Sequence, residues 1–469
     1  MKDIAAAIRR IAPVAAFLLM ALWSWRVADP IQALPNDPGR SPMGYGDVLE
    51  VTWGLQWYYD AVITRAHDLD LYPGIFAPDG WQVGTLAHGP GLFLAGLPWV
   101  ALGGVALAYN ASLWIAMVAT YVGVYRLALR RFDWPWALAA AVFIAFWSYR
   151  WMRIGGQPNL LLGAAVLPWL AGCLEHVRAS SVRPWIAMVM GGALWAFAIL
   201  CSLYFIWLGA VTIGAWGLGL WLQDPASRRR LGWSAVLMAA VALALSSPYL
   251  FWFQQASARV GFTAFDIDQL ATWGASANSL ALPFARHPLS LAREFATWVY
   301  HGPASESSTI SLGPVTCVLA LCGLAAARRQ RAWWPVAGLS LIGMTLALGP
   351  FLRWDDRLVQ LEHPLIQTVN GWIWSAGHAL KPQLFATAIP PAPYDRVIPL
   401  PAVAPLILAP YWEGARVSAR YALVGGVGGL PARGLVCFAS ESALGPLGLD
   451  RVDVGRMVAG PGARRALPA

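Results

Sequence analysis

Long apolar segments recur along this chain, and they constrain its fold more than any other feature. A helix of about 20 apolar residues crosses the hydrocarbon core of a bilayer, where every backbone N–H and C=O group must be satisfied within the protein. Such segments lie at about 8–27, 106–129, 135–149, 159–174, 185–203, 205–222, 232–253, 312–327 and 333–351, with a weaker, Pro- and Gly-rich one at about 397–430. The sequence therefore predicts an all-α, polytopic transmembrane helix bundle of about nine or ten spans.

The composition favours a membrane protein over a soluble one. Hydrophobic residues make up 58% of the chain and charged residues 12%, which leaves too little polar surface to cover a soluble domain. The net charge of +9 does not indicate nucleic-acid binding, because Lys and Arg form short clusters between the apolar segments instead of a basic face. We therefore expect the lipid bilayer, and no nucleic acid, as a partner.

Basic clusters predict the orientation of the spans. Four clusters fall on one side of the membrane if the short segment Gly91–Gly104 is a half-helix and not a full span. By the positive-inside rule that side is the cytoplasm. This predicts a multi-pass protein of the cytoplasmic membrane with a cytoplasmic N-terminus and outer loops at about 28–88, 254–311 and 352–396. The clusters are Arg130–Arg131, His176 to Arg183, Arg228–Arg230 and Arg328 to Arg331.

The first outer loop carries the strongest candidate for a functional carboxylate, Asp47. It follows Gly44 and Gly46 and precedes an aromatic segment, from Trp53 to Asp60, that has the pattern of a helix. A carboxylate at a helix N-terminus is stabilised by the macrodipole and can cap the first backbone N–H groups. The spacing alone favours such a capping role over a catalytic one.

Short motifs follow one another in a distinctive order along residues 1–430. They are Gly46-Asp47, Tyr72-Pro73-Gly74, Pro78-Asp79-Gly80, His88, Ser148-Tyr149-Arg150, Gly155-Gly156-Gln157-Pro158-Asn159, Asp266-Ile267-Asp268, His287-Pro288, Ser305-Glu306-Ser307 and Arg416-Val417-Ser418-Ala419-Arg420. In this order, and with a short basic N-terminus, the chain resembles bacterial multi-span glycosyltransferases of the C-type (GT-C) fold. These are relatives of the protein O-mannosyltransferases and of YfhO-like polytopic families.

The resemblance implies a membrane glycosyltransferase of the cell envelope that moves a sugar from a polyprenyl-phosphate-linked donor to an acceptor on the outer face. It implies that Asp47 acts as a base or as a metal ligand, and it leaves open whether a divalent metal is a cofactor. Substrate-binding candidates are Arg416 and Arg420 for the lipid phosphate, Arg150 and Arg153 as rivals for that role, and His88 and Glu306. The alternative for the arginines is snorkelling to the membrane interface.

Two departures from the family pattern affect the expected function. Gln157 stands where relatives often carry a histidine, and Ser418 stands where a proline is common. Residues 431–469 form a Gly-, Ala- and Arg-rich tail without the period of a helix, so we expect a transmembrane module at 1–430, an irregular tail, and a truncated or frame-shifted family member.

The alternatives are an inactive family member or membrane scaffold and, less favoured, a lipid or solute transporter or flippase. A transporter is expected to place ionisable groups in the middle of its spans, and the apolar segments contain almost none.

Overall fold

Apolar helices dominate the computed structural model. It describes residues 11–21, 48–69, 71–72, 81–82, 89–146, 150, 154, 156–179, 183–260, 276–281, 290–299, 301, 318, 322, 337–338, 348, 350–355, 357–382 and 385–400. The helices are α1 (Ile11–Ala21), α2 (Val48–Tyr59), α3 (Pro90–Ala128), α4 (Trp134–Ala145), α5 (Pro158–Ala179), α6 (Pro184–Cys201), α7 (Tyr204–Gln223), α8 (Arg228–Val260), α9 (Ser290–Val299) and α10 (Pro364–Leu380).

Five of the described helices are long and apolar enough to cross a membrane: α3, α5, α6, α7 and the segment Pro225–Ala256, which contains most of α8. The helices α1 and α4 are apolar but shorter, and they coincide with the first and third predicted spans. The predicted class, an all-α polytopic membrane bundle, is confirmed by these helices. The predicted spans at 312–351 lie largely outside the described residues, and 401–469 lies wholly outside them.

Several predicted span boundaries were wrong, among them the end of α5, which lies at Ala179 and not near 174. The helix α4 ends at Ala145, short of 149, where Phe146 leaves the helical conformation with φ −108° and ψ 20°. The helix α8 continues to Val260, beyond 253, because the polar segment after the apolar one keeps a helical backbone.

The helix α3 is broken at the glycine pair that the sequence predicts as the end of a half-helix. Gly103 (φ −161°, ψ 20°) and Gly104 (φ 80°, ψ −176°) leave the helical conformation, so α3 consists of an arm at 90–102 and a longer arm at 105–128. The positive φ of Gly104 is readily adopted only by glycine. The partial helix at Gly91–Gly104 is therefore present in the fold.

Close approach of small residues holds the long helices together. The helix α5 packs against α3, α6 and α7, and α6 packs against α8. A Cβ atom at Gly163 would lie 2.1 Å from the Phe205 ring, and one at Gly209 would lie 2.1 Å from Nε1 of Trp195. Without a hydrophobic effect between helices in lipid, such contacts are the main source of packing energy.

Residues 350–400 form a small ordered unit around an aromatic cluster. The strands β3 (Arg353–Trp354) and β4 (Arg357–Leu358) pair as an antiparallel hairpin, and α10 follows them. The amide of Asn370, on α10, donates to the carbonyl oxygens of Tyr394 (2.7 Å) and Val397 (2.8 Å). A second antiparallel pair, β1 (Leu71–Tyr72) with β2 (Trp81–Gln82), lies in the segment 28–88 that the sequence predicts as an outer loop. The rings of the cluster are Phe351, Trp374, Phe385 and Tyr394.

Candidate functional site

The helix termini meet in two separate layers, and the first lies around Cys201; we call it the Cys201 end. The carbonyl oxygen of Cys201 accepts hydrogen bonds from the backbone N–H of Gly89 and from the side-chain amide of Asn159, each at 3.3 Å. Close by in the same hydrophobic cluster, the hydroxyl of Tyr109 donates to the carbonyl oxygen of Ile154 at 2.5 Å. The start of α3, the α4–α5 connection, the start of α5 and the α6–α7 turn therefore share one end of the bundle.

The opposite layer is built around Glu175, and we call it the Glu175 end. The Glu175 side chain is 1% exposed and forms ion pairs with Arg131 and Arg178. The indole N–H of Trp216 donates to the same carboxylate at 3.2 Å, and Arg131 also reaches the side chain of Gln223 at 3.4 Å. The contacts place the Arg130–Arg131 and His176 to Arg183 clusters, and the end of α7 just before Arg228, at one end. This agrees with the predicted shared side; that this side is the cytoplasm stays a prediction.

Arg150 is the one sequence-predicted site residue that the structure describes. Its side chain is buried, with 7% of the residue exposed, so it does not snorkel to a surface of the described bundle. The guanidinium Nη2 donates to the carbonyl oxygen of Ala116 on α3 at 3.4 Å, which is a long hydrogen bond. Within the described part of the chain, Nε of Arg150 has no hydrogen-bond partner and no carboxylate pairs with the guanidinium.

The acceptor of Arg150 is already shared. The hydroxyl of Thr120 donates to the same Ala116 carbonyl oxygen at 2.8 Å, the shorter of the two bonds. Ala116 lies about midway along the longer arm of α3, seven residues and about two helical turns beyond Tyr109. The guanidinium therefore reaches into the bundle from the Cys201 end, and the described residues compensate its charge only weakly there.

This position corrects one expectation from the sequence. The apolar segments contain almost no charged residue, but Arg150 extends its cation against the middle of α3 from the connection after α4. Sequence position alone places Arg150 just outside the third span. The length of the side chain, combined with the early end of α4, carries its charge inward.

The helix that follows Asp47 belongs to the same end of the bundle. The helix α2 begins at Val48, and its buried residues Val48, Val51 and Leu55 share one hydrophobic cluster with Ile154 and Cys201. The predicted aromatic helix after Asp47 is therefore present and packs beside the connection that carries Arg150. Asp47 itself lies outside the described residues, and so do His88, Arg153, Glu306, Arg416 and Arg420.

Two buried polar residues, one on a helix and one in a turn between helices, were not predicted as site residues. Asn110, on α3, is 1% exposed, and Ser202, in the α6–α7 turn, is 1% exposed. Within the described residues the hydroxyl of Ser202 has no hydrogen-bond partner. The available signal for Ser202 was a polar residue near the end of the predicted span at 185–203. The described residues contain no cluster of three or more His, Cys, Asp or Glu side chains that could hold a metal ion.

No protein-family model matches this chain, and no curated protein sequence matches it. Two solved structures resemble it. One is the archaeal oligosaccharyltransferase AglB from Archaeoglobus fulgidus in complex with an inhibitory peptide and a dolichol-phosphate, with 13% identity and a TM-score of 0.40. The other is the Archaeoglobus fulgidus oligosaccharyltransferase tethered by a disulfide bond to an acceptor peptide with the NVT sequon, with 14% identity and a TM-score of 0.41.

Each match covers 89% of this chain and 50% of the solved chain, so this chain spans about half the length of those proteins. A likeness of this degree does not define a family. The fold by itself defines the class: a multi-pass, helical membrane protein.

Proposed function

We propose that this chain is a membrane glycosyltransferase of the GT-C type, which takes a sugar from a polyprenyl-phosphate-linked donor and passes it to an acceptor on the outer face of the cytoplasmic membrane. The order of motifs along residues 1–430 supports this proposal from the sequence. The observation that carries it in the structure is the buried, weakly compensated guanidinium of Arg150.

The reaction requires an anion-binding group and a base. The acceptor hydroxyl forms a bond to the anomeric carbon as the bond from that carbon to the phosphate oxygen breaks, and the hydroxyl proton passes to a carboxylate. The polyprenyl phosphate leaves with additional negative charge, which a positioned cation stabilises. We assign the carboxylate role to Asp47 and the phosphate role to Arg150, with Arg153, Arg416 and Arg420 as further candidates and His88 and Glu306 as candidates for substrate contact.

A buried cation without a carboxylate is costly, which is the reason to connect Arg150 with an anionic ligand. Ionisable groups inside membrane bundles are rare, and they commonly mark a functional site. The long bond to the shared Ala116 carbonyl leaves most of the hydrogen-bonding capacity of Arg150 for another group. A phosphate oxygen suits a guanidinium because both can form two parallel hydrogen bonds.

The test uses the full chain in proteoliposomes that contain radiolabelled sugars on polyprenyl phosphate, together with a membrane fraction that supplies acceptors. We expect Asp47→Ala and Arg150→Gln to lower label transfer by roughly 10²- to 10³-fold. Arg228→Gln is the matched control, because this substitution removes the same charge at a distant position. Arg228 lies just past the Glu175 end, with its guanidinium 4.2 Å from the centroid of the Trp221 ring. Arg150→Lys, which keeps the charge but loses the planar fork, is expected to retain part of the transfer.

Each outcome decides one part of the proposal. If the unmodified chain moves no label from any polyprenyl-phosphate sugar, the enzyme proposal fails and the inactive member or membrane scaffold remains. Equal transfer by Asp47→Ala or by Arg150→Gln removes that residue from the reaction. Monodisperse elution of each variant in detergent checks that it has folded.

A transporter or flippase is the second candidate, because two features of the structure favour it. Transporters place ionisable residues inside the bundle and use discontinuous helices, and this chain has a buried Arg150 and a break in α3 at Gly103–Gly104. The same proteoliposomes separate the two functions. Transport moves the labelled lipid between leaflets with its sugar still attached, whereas glycosyl transfer releases the sugar from the lipid.

A further inference from the structure

The helix α9 presents a stripe of large apolar side chains that nothing in the described structure covers. Leu291 is 77% exposed and Trp298 is 75% exposed, and Phe295 between them is also exposed. The spacing of i, i+4 and i+7 places the three on one face of the helix, and the rings of Phe295 and Trp298 contact each other at 6.2 Å. Glu294, on the flank of this stripe, is exposed as well.

The length of α9 excludes a membrane-spanning role. It has 10 residues, which extend about 15 Å at 1.5 Å per residue, roughly half of the hydrocarbon thickness. A short helix with an apolar face and a polar flank lies along the interface, with its apolar side chains among the headgroups and upper acyl chains. Tryptophan is enriched at that depth because its ring is apolar and its N–H is polar.

The helix α10 shows the same arrangement on its outer side. Trp372 is 71% exposed, and Leu365 and Leu380 are exposed near the same face, while Asn370 and Trp374 on the opposite side pack into the aromatic cluster of the 350–400 unit. One face of α10 is therefore fixed to the protein, and its other face is apolar and uncovered within the described residues.

Polar contacts connect the segments that carry the two helices. The carboxylate of Asp355, beside β3, accepts from the side-chain amide of Asn278 at 2.6 Å and from the backbone N–H of His301 at 3.1 Å. Asn278 lies twelve residues before the start of α9, and His301 lies two residues after its end. Both flanks of α9 are thus tied to the unit that contains α10.

We propose that α9 and α10 are interfacial helices, and that the stripe of Leu291, Phe295 and Trp298, together with Trp372, inserts into the lipid headgroup region of the bilayer that the bundle crosses. Lipid is the expected occupant because the two helices are attached to a protein with membrane-crossing helices, and α9 starts 30 residues after α8 ends. An uncovered apolar stripe so close to a span meets lipid without requiring another protein. The proposal is independent of the glycosyltransferase function.

Site-directed spin labelling tests the proposal in proteoliposomes of phosphatidylethanolamine and phosphatidylglycerol. Single cysteines are introduced in a background in which the five native cysteines are replaced by alanine. The test positions are Leu291→Cys, Trp298→Cys and Trp372→Cys, and the matched controls are Glu294→Cys on α9 and Gln367→Cys on α10. The measurement compares collision of each label with oxygen, which concentrates in lipid, and with a water-soluble nickel chelate.

We expect labels at the test positions to collide several-fold more with oxygen, relative to nickel, than the labels at the control positions of the same helix. Equal, high nickel accessibility at test and control positions would mean that the stripes face water, which would overturn the proposal. Immobilised labels shielded from both reagents would mean that a protein surface, such as a second copy of the chain, covers the stripes instead. The five positions that receive a label are exposed, and elution in detergent checks that the cysteine-free background, which loses the buried thiol of Cys201, and each variant fold.

Discussion

Replacing the buried carboxylate at the Glu175 end is expected to weaken the bundle strongly. We expect Glu175→Gln to lower the free energy of unfolding by about 2 kcal/mol and Glu175→Ala to lower it by about 3 kcal/mol. The difference follows from the contacts that each variant keeps.

Glutamine preserves the side-chain oxygen that accepts from Arg131 and Trp216, but its amide nitrogen replaces the oxygen that accepts from Arg178. The loss is therefore that of hydrogen bonds to one charged group, about 1.5–3 kcal/mol. Alanine removes every acceptor and leaves two cations beside each other. Breaking a buried ion pair costs about 3–5 kcal/mol, and the lower value applies because Arg131 is 18% and Arg178 33% exposed and can regain water.

The assay is titration of the detergent-solubilised chain with a denaturing detergent, followed by circular dichroism. Glu362→Gln is the control, because Glu362 pairs with Arg396 on an exposed surface and its loss is expected to cost less than about 1 kcal/mol. If Glu175→Ala and Glu362→Gln unfold at the same detergent ratio, the Glu175 cluster does not stabilise the bundle and the reasoning is refuted.

Three further predictions concern packing, a buried amide and pH. We expect Gly163→Ala to destabilise the bundle by about 1–3 kcal/mol in the same titration, because the added Cβ would overlap the Phe205 ring. The control is Gly172→Ala on the same helix. A Cβ at Gly172 would meet no atom within 4 Å, so this variant should not destabilise the bundle. Asn370→Ala leaves two carbonyl oxygens without their donor and is expected to cost about 1–3 kcal/mol, measured as faster hydrogen exchange in α10. Burial raises the pKa of Asp355, but hydrogen bonds and the charge of its neighbours outweigh this and hold the pKa below its ordinary value. The ionised Asp355 side chain therefore stabilises the fold above its ordinary pKa, and this stabilisation is lost as the pH falls through the folded pKa. We expect amide hydrogen exchange at 276–301, corrected for its intrinsic pH dependence, to become faster in acid. The variant Asp355→Asn should abolish that increase.

Hydropathy predicted the fold class because lipid imposes one rule on every span. Each of α5, α6 and α7 is a continuous apolar segment that satisfies its own backbone, and such segments are visible in the sequence without knowledge of their neighbours. The break at Gly103–Gly104 was predictable for a similar reason, since two adjacent glycines after Pro98 weaken a helix locally.

The burial of Arg150 was not predictable, because it depends on tertiary contacts. Whether an arginine near the end of a span turns toward lipid headgroups or toward the bundle is decided by the neighbouring helices, here by α3, whose Ala116 carbonyl oxygen accepts from the guanidinium. The exposed apolar face of α9 could not be predicted from the sequence either. It requires knowing that Leu291 and Trp298 stay exposed in the fold, although their spacing is plain in the sequence.

The two ends of the bundle differ in whether their partly or fully buried arginines have a carboxylate partner among the described residues. This difference is the physical basis of the proposed site. At the Glu175 end, Arg131 and Arg178 converge on one buried carboxylate, so each of these two guanidinium groups has an anionic partner within the protein. Arg150 enters from the other end, and the described residues offer its guanidinium one long bond, to a carbonyl oxygen that also accepts from Thr120. Desolvating a cation costs several kcal/mol, and a single shared carbonyl does not offset that cost. An anionic group that arrives from the bilayer would offset it, which is why we place the lipid phosphate at Arg150 and not at the basic clusters of the Glu175 end.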